Sequence, residues 1–149
     1  MKGFPDIPPV WWAGSIAVIY LGRWALPNLH VEMDVLIVTS RIVFFAALGI
    51  IAWSAIWFWF KKTPIEPHHT PKTLIVEGPY RFSRNPIYLA LVMLTLASAL
   101  GHGSVIGILC AGVLWAILDR RFAAKEETLL LEVFPDQAET YLSKTRRWI

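Results

Sequence analysis

The sequence predicts an all-α protein: a polytopic membrane helix bundle of about four transmembrane helices, with a further helix on the cytosolic side near the C-terminus. Three observations lead there. Apolar residues make up 56% of the 149 residues, with eight tryptophans among them, and the mean hydropathy is +0.51, above the balance of ordinary soluble domains. The apolar residues fall in long runs. Polar islands rich in glycine, proline and arginine separate those runs and carry most of the basic charge.

The first run, Val10 to Leu26, is just long enough to cross a bilayer core, and Pro27 with Asn28 ends it. The second, Val35 to Phe60, closes on Trp53, Trp57, Phe58, Trp59 and Phe60, an aromatic belt followed by Lys61 and Lys62. The third, Ile87 to Leu118, would be about 48 Å long as one straight helix, too much for a hydrocarbon core of about 30 Å. Gly101-His102-Gly103-Ser104 lies near its middle. Glycine closes helices and serine caps new ones, so a tight helical hairpin is expected there. With a hairpin, the island before this run and the island after it emerge on the same side and can share a ligand. With one span they face opposite compartments.

Charge agrees with the hairpin. Lys61, Lys62, Lys72, Arg81, Arg84, Arg120, Arg121, Lys125, Lys144, Arg146 and Arg147 fall on one side, against Glu32 and Asp34 on the other, with Arg23 and Arg41 near the helix ends there. The positive-inside rule makes the basic side, with both termini, cytoplasmic. The net charge of +3 is read as topology and headgroup contact, not as nucleic-acid binding. Residues 1–9 lack a cleavable leader pattern, because Pro5, Pro8 and Pro9 interrupt any apolar region. Thr63 to Pro79 reads as a non-helical connector, since Pro64, Pro67, Pro71 and Pro79 oppose a helix; Thr73 to Val76 is a short extended stretch within it. The chain is one domain over 1–149, with residues 10–60 as an N-terminal helical hairpin and 61–149 as a second half. The lone Cys110 is a small core residue.

The chemistry concentrates in two islands. Glu77-Gly-Pro-Tyr-Arg-Phe-Ser-Arg-Asn-Pro-Ile-Tyr88 leads into the third run. Asn85 suits an N-cap and Pro86 the first helical position. The helix N-terminus with Arg84 attracts an anion. Gly78 permits close backbone approach, and Tyr80 and Tyr88 offer flat faces with hydroxyls. The second island, Arg120 to Glu127, reads as a helical extension of the fourth span. Arg120, Ala123 or Ala124, and Glu127 would form one stripe on it. Together the islands suit a zwitterionic nucleoside ligand. Arg81 and Arg147 are read as lipid-phosphate contacts, Arg23 and Arg41 as structural, and His30 and His102 as unpartnered. His68-His69 is too weak a pair for a metal site.

These motifs resemble the C-terminal half of the isoprenylcysteine carboxyl methyltransferase and phospholipid N-methyltransferase superfamily, in its small bacterial type. The resemblance covers about residues 63 to 149 and rests on Gly78 through Tyr88, Glu126-Glu127, Tyr141 and the closing Arg146-Arg147-Trp148. It implies an integral membrane enzyme of the bacterial inner membrane that uses S-adenosylmethionine. Val76, Glu77, Gly78, Pro79 and Tyr80 would line the adenosine pocket, Arg84, Asn85, Pro86 and Tyr88 would hold the methionyl end, and Glu126 and Glu127 would close the site. The methyl group would pass to a lipophilic small-molecule or lipid-anchored acceptor, with Arg120 or Arg121 orienting an anionic one. Asn85 replaces the family's histidine and does not titrate near neutral pH. Two other functions compete. One is an NADPH-dependent membrane reductase of the sterol-reductase type, with Lys72, Arg81 and Arg84 on the 2′-phosphate. The other is a non-enzymatic membrane protein of the same descent. Membrane lipids are partners in each case, and the sequence leaves a homodimer open.

Overall fold

In the computed structural model, residues 6–62 and 73–149 are described, and all regular structure among them is helical. Helix α1 covers Pro8–Ala25, α2 Asp34–Lys61, α3 Pro86–Gly101 and α4 Val105–Ile117. A π turn, Leu118–Ala123, carries α4 without a break into α5, Ala124–Val133, and α6 follows at Pro135–Lys144. The apolar runs thus become helices at nearly the expected bounds. Where one C-terminal helix was expected there are two, because Pro135 has no N–H and opens a new helix.

The hairpin forms at the expected turn. Ser104 caps α4 by accepting a bond from the Gly107 N–H at 3.1 Å. Gly103 has φ +59°, and a methyl there would overlap the Val31 carbonyl. That close approach lets the Val31 N–H reach the Gly103 carbonyl at 2.9 Å, tying the α1–α2 and α3–α4 loops together. His102 and His30 both find partners, contrary to expectation. The His102 ring meets Ser98 O through Nδ1 at 2.8 Å and stands edge-on to Tyr20, while His30 Nδ1 lies 3.1 Å from Leu26 O. Local helix-end geometry supplies these contacts, and helix-end carbonyls are acceptors that spacing alone does not reveal.

Helix α3 packs most extensively on α2, then on α4, and α1 lies against both α3 and α4. Ala47, Ala90 and Leu94 meet in the α2–α3 seam, where the two alanines let the helix backbones approach. The larger core lies at the end of the hairpin away from its turn, where Tyr88, Leu91, Leu114, Leu118, Phe122 and Ala123 pack together under Trp11, Trp12 and Trp148. Outside these seams the surface is apolar: Trp24 is 86% exposed, Trp59 77% and Phe45 68%. An apolar surface of this extent suits lipid better than water. Helix α2 is long and apolar enough to cross a membrane; α3 is apolar but spans 16 residues, about 24 Å of rise. Cys110 is half-buried, at the margin of the core.

The connector is described from Thr73 onward, so the Lys72, Pro64, Pro67, Pro71 and His68-His69 readings lie outside the described residues. Thr73 to Val76 is non-helical, with Leu74 and Ile75 buried. Pro79 sits inside a short 3-10 helix, Gly78–Arg81. It was expected to oppose a helix, but in a first turn its missing N–H costs nothing.

Candidate active site

The two islands meet at one end of the bundle. Arg84 Nη1 lies 3.2 Å from Glu127 Oε1, and the Tyr88 hydroxyl donates to Glu126. This is the same-side arrangement that the hairpin requires. Between the N-terminus of α1, the C-terminal half of α2, the start of α3 and the start of α5 lies a cavity of about 440 Å³. Pro8, Pro9, Ile51, Phe58 and Leu91 form its apolar wall, while Tyr80, Arg84, Asn85, Tyr88 and Glu126 bring the polar groups. Pro86 and Ile87 complete the lining.

Tyr80 is held from three directions. Its ring stands edge-on to Phe58, Ser54 lies beside its hydroxyl, and its carbonyl accepts a bond from the Tyr141 hydroxyl at 2.7 Å. Burial pushes the phenols of Tyr80 and Tyr141 well above the usual tyrosine range, so both are neutral donors at any working pH. Val76, Glu77, Gly78 and Pro79 do not line the cavity. Glu77 is paired with Lys61 at 2.5 Å, and that hydrogen bond holds its carboxyl below the ordinary range. The close approach at Gly78, read from sequence as room for a ligand, is taken by the chain itself. At φ +60° its α-carbon lies against the Trp57 indole, and any Cβ would overlap that ring.

Asn85 is the residue before α3, but its side chain makes no capping bond. The Asn85 N–H donates to Ser83 Oγ at 3.1 Å, and Nδ2 donates to the Arg147 carbonyl at 3.2 Å. The C-terminal tail has returned to this point and competes for the side chain, which a reading of local sequence cannot foresee. Arg147 is likewise not a lipid contact. It donates to Glu127 at 2.8 and 2.6 Å and to Asp119 at 3.1 Å.

The expected stripe of Arg120, Ala123 or Ala124, and Glu127 does not form. The π turn inserts an extra residue per turn, so Asp119 aligns with Glu127 while Arg120 faces outward, exposed. Arg121 is also exposed and pairs with Asp6 at 2.8 Å over the Trp11 ring. Neither arginine lines the cavity.

Asp119, beyond the apolar run, carries a testable pH signature. Burial works to raise its pKa, but the bonds from Trp148 Nε1, at 2.8 Å, and Arg147 outweigh it and hold the carboxyl below its usual 3.8. A depressed folded-state value contributes stability that is complete above 3.8 and disappears as pH falls through the lower folded value. Asp119→Asn is therefore expected to lower stability by about 2 kcal/mol at pH 7. In thermal unfolding followed from pH 7 downward, the gap to wild type should close only in acid below 3.8. A gap independent of pH would remove the ionic role.

Asp119, Tyr141, Arg147, Trp148, Pro8, Pro9, Ile51 and Phe58 escaped assignment to the site from sequence. Tyr141 and the closing Arg146-Arg147-Trp148 carried part of the family resemblance without being given a site role; the wall residues gave no signal, since they look like any other apolar position.

Fold and site define a helical bundle with a lipid-type surface and, at one end, a cavity that is apolar on one wall and charged on the other. The chain belongs to the phospholipid methyltransferase family, whose model matches residues 32–137, from the loop before α2 into α6. No curated protein matches it.

Proposed function

We propose that the protein is an integral membrane methyltransferase that binds S-adenosylmethionine at this cavity and passes the methyl group to a lipophilic acceptor at the cytosolic face. Family membership supports methyl transfer. The observation that carries the rest is the cavity's division into an apolar wall and a charged rim built from both islands. A volume of about 440 Å³ is in the range of small-molecule sites.

The donor set fits a zwitterionic nucleoside. Arg84 Nε is buried and has no hydrogen-bond partner among the described residues, a donor suited to a carboxylate. Glu126 accepts from hydroxyls or an ammonium group. Tyr80 and Tyr88 give the purine flat faces. The cofactor supplies an activated methyl carbon. The chain's own residues position the two reactants and keep water out, tasks that need no titrating group at Asn85. Arg120 and Arg121 remain candidates for steering an anionic acceptor, Arg121 by exchanging its Asp6 partner for the acceptor. The basic islands favour the cytoplasmic side of a bacterial membrane for this end.

The reductase reading is not favoured. Arg81 is exposed and off the cavity, and Glu127 already counters the charge of Arg84. Calorimetric titration of the purified protein in lipid nanodiscs is expected to give saturable binding of S-adenosylhomocysteine and none of NADPH. NADPH binding alone would overturn the methyltransferase reading; binding of neither would favour a non-enzymatic protein.

A further inference from the structure

The acidic pair Glu126-Glu127 is split by the helix on which it sits. Glu126 lines the cavity with Tyr88. Glu127 faces the other way, 14% exposed in its side chain, and both of its oxygens are taken by Arg147, with Arg84 on Oε1 as well. Arg147 also reaches Asp119, which Trp148 bonds in turn while its ring packs on Trp115. Two arginines and two carboxylates make this cluster neutral, with only Arg84 Nε left without a partner among the described residues, and paired, half-buried charges hold a fixed geometry. The tail backbone adds three bonds to the approach to α3: the Arg84 N–H to the Arg146 carbonyl at 3.0 Å, and Ser83 Oγ and Asn85 Nδ2 to the Arg147 carbonyl at 3.3 and 3.2 Å. This tail lies past the residues that match the family.

We propose that the C-terminal tail is a clamp on the site, in which Arg147 and Glu127 are positioning residues that aim Arg84 into the cavity, and that Glu126 alone of the acidic pair addresses the ligand. Influence runs from Arg147 to Glu127 to Arg84 and, through the main chain, to the start of α3. What the cavity binds rests on the methyltransferase reading; the clamp does not.

The test compares wild type with Arg147→Gln, Arg147→Lys, Glu127→Gln, the Arg147→Gln/Glu127→Gln double variant and Glu126→Gln, all as full chains in nanodiscs. S-adenosylhomocysteine affinity and hydrogen exchange of the Arg84 amide are both measured. Arg147→Gln and Glu127→Gln should each weaken binding about tenfold, and the double variant should be no worse than about tenfold, because both changes break one linkage. Both should also speed exchange of the Arg84 amide, which the Arg146 carbonyl protects, and Arg147→Lys should restore part of each effect. Glu126→Gln should weaken binding and leave that exchange unchanged. A hundredfold loss in the double variant, or a loss in Glu127→Gln with normal Arg84 exchange, would make Glu127 a direct ligand and overturn the proposal. Unchanged exchange in Arg147→Gln would overturn it as well. If Arg147→Gln does not fold, Arg147→Lys and Glu127→Gln decide the same comparison. If wild type does not bind S-adenosylhomocysteine, the functional reading fails, and the exchange data still decide the clamp.

Discussion

Gly78→Ala is expected to destabilise the protein by about 3 kcal/mol or more, a large part of the roughly 5–15 kcal/mol that holds a typical domain together. Two costs add. A left-handed conformation, φ +60° at this residue, costs a non-glycine residue about 1–2 kcal/mol. The new methyl would also overlap the Trp57 ring, and overpacking adds about 1–3 kcal/mol. If the ring withdraws instead, it gives up its edge-on contact with Phe60 and its place 6.0 Å below the Lys61 ammonium. The two costs are separable. Introduced into a Trp57→Ala background, Gly78→Ala should cost only the backbone share, about 1–2 kcal/mol. Thermal unfolding of the four proteins of this cycle reads the result. A wild-type midpoint for Gly78→Ala would refute the conformational claim, and equal increments in both backgrounds would refute the Trp57 contact.

This glycine also shows where reading from sequence stops. That the Glu77–Tyr88 island needs a residue without a side chain was legible, because Gly-Pro between polar and apolar stretches marks a backbone special case. What occupies the vacated space was not, since Trp57 reaches it from another helix. The same division runs through the molecule. Helix ends at Pro27, Gly101 and Ser104 follow local rules and were legible. The joining of the two islands was legible too, because hairpin parity follows from the length of one apolar run. The π turn was not: its extra residue changes which of Asp119 and Arg120 aligns with Glu127, and nothing in Leu118–Ala123 announces it. The tail's return to Ser83, Arg84 and Asn85 is a tertiary event for the same reason. Arg147, read from sequence as a headgroup contact although it belongs to the closing motif of the family resemblance, becomes the most heavily paired cation among the described residues, and its Glu127 bond raises its pKa above the usual arginine value.

On the proposed methyltransferase function, Glu126→Gln is expected to weaken S-adenosylmethionine binding about tenfold more than S-adenosylhomocysteine binding. Glutamine keeps an oxygen to accept the Tyr88 bond and is nearly isosteric, so the cavity wall should stand while its negative charge is removed. The two nucleosides differ by one methyl and one positive charge at sulfur. A carboxylate about 6 Å from that sulfonium would stabilise it by about 3 kcal/mol at an effective permittivity near 20. Because the cavity is part open to solvent, about half of that, or roughly tenfold in affinity, is the reasonable expectation. Arg84 does not cancel the effect, since Glu127 opposes its charge from the far side. Calorimetry with both nucleosides on both proteins distinguishes the possibilities. A selective loss for the charged nucleoside places Glu126 beside the reacting sulfur. There it would also stabilise the ground-state sulfonium, so that part of the rate must come from positioning the acceptor against the apolar wall. An equal loss for both would assign Glu126 to the ribose or the amino group instead of the sulfonium. Full retention of both affinities would take Glu126 out of the binding site.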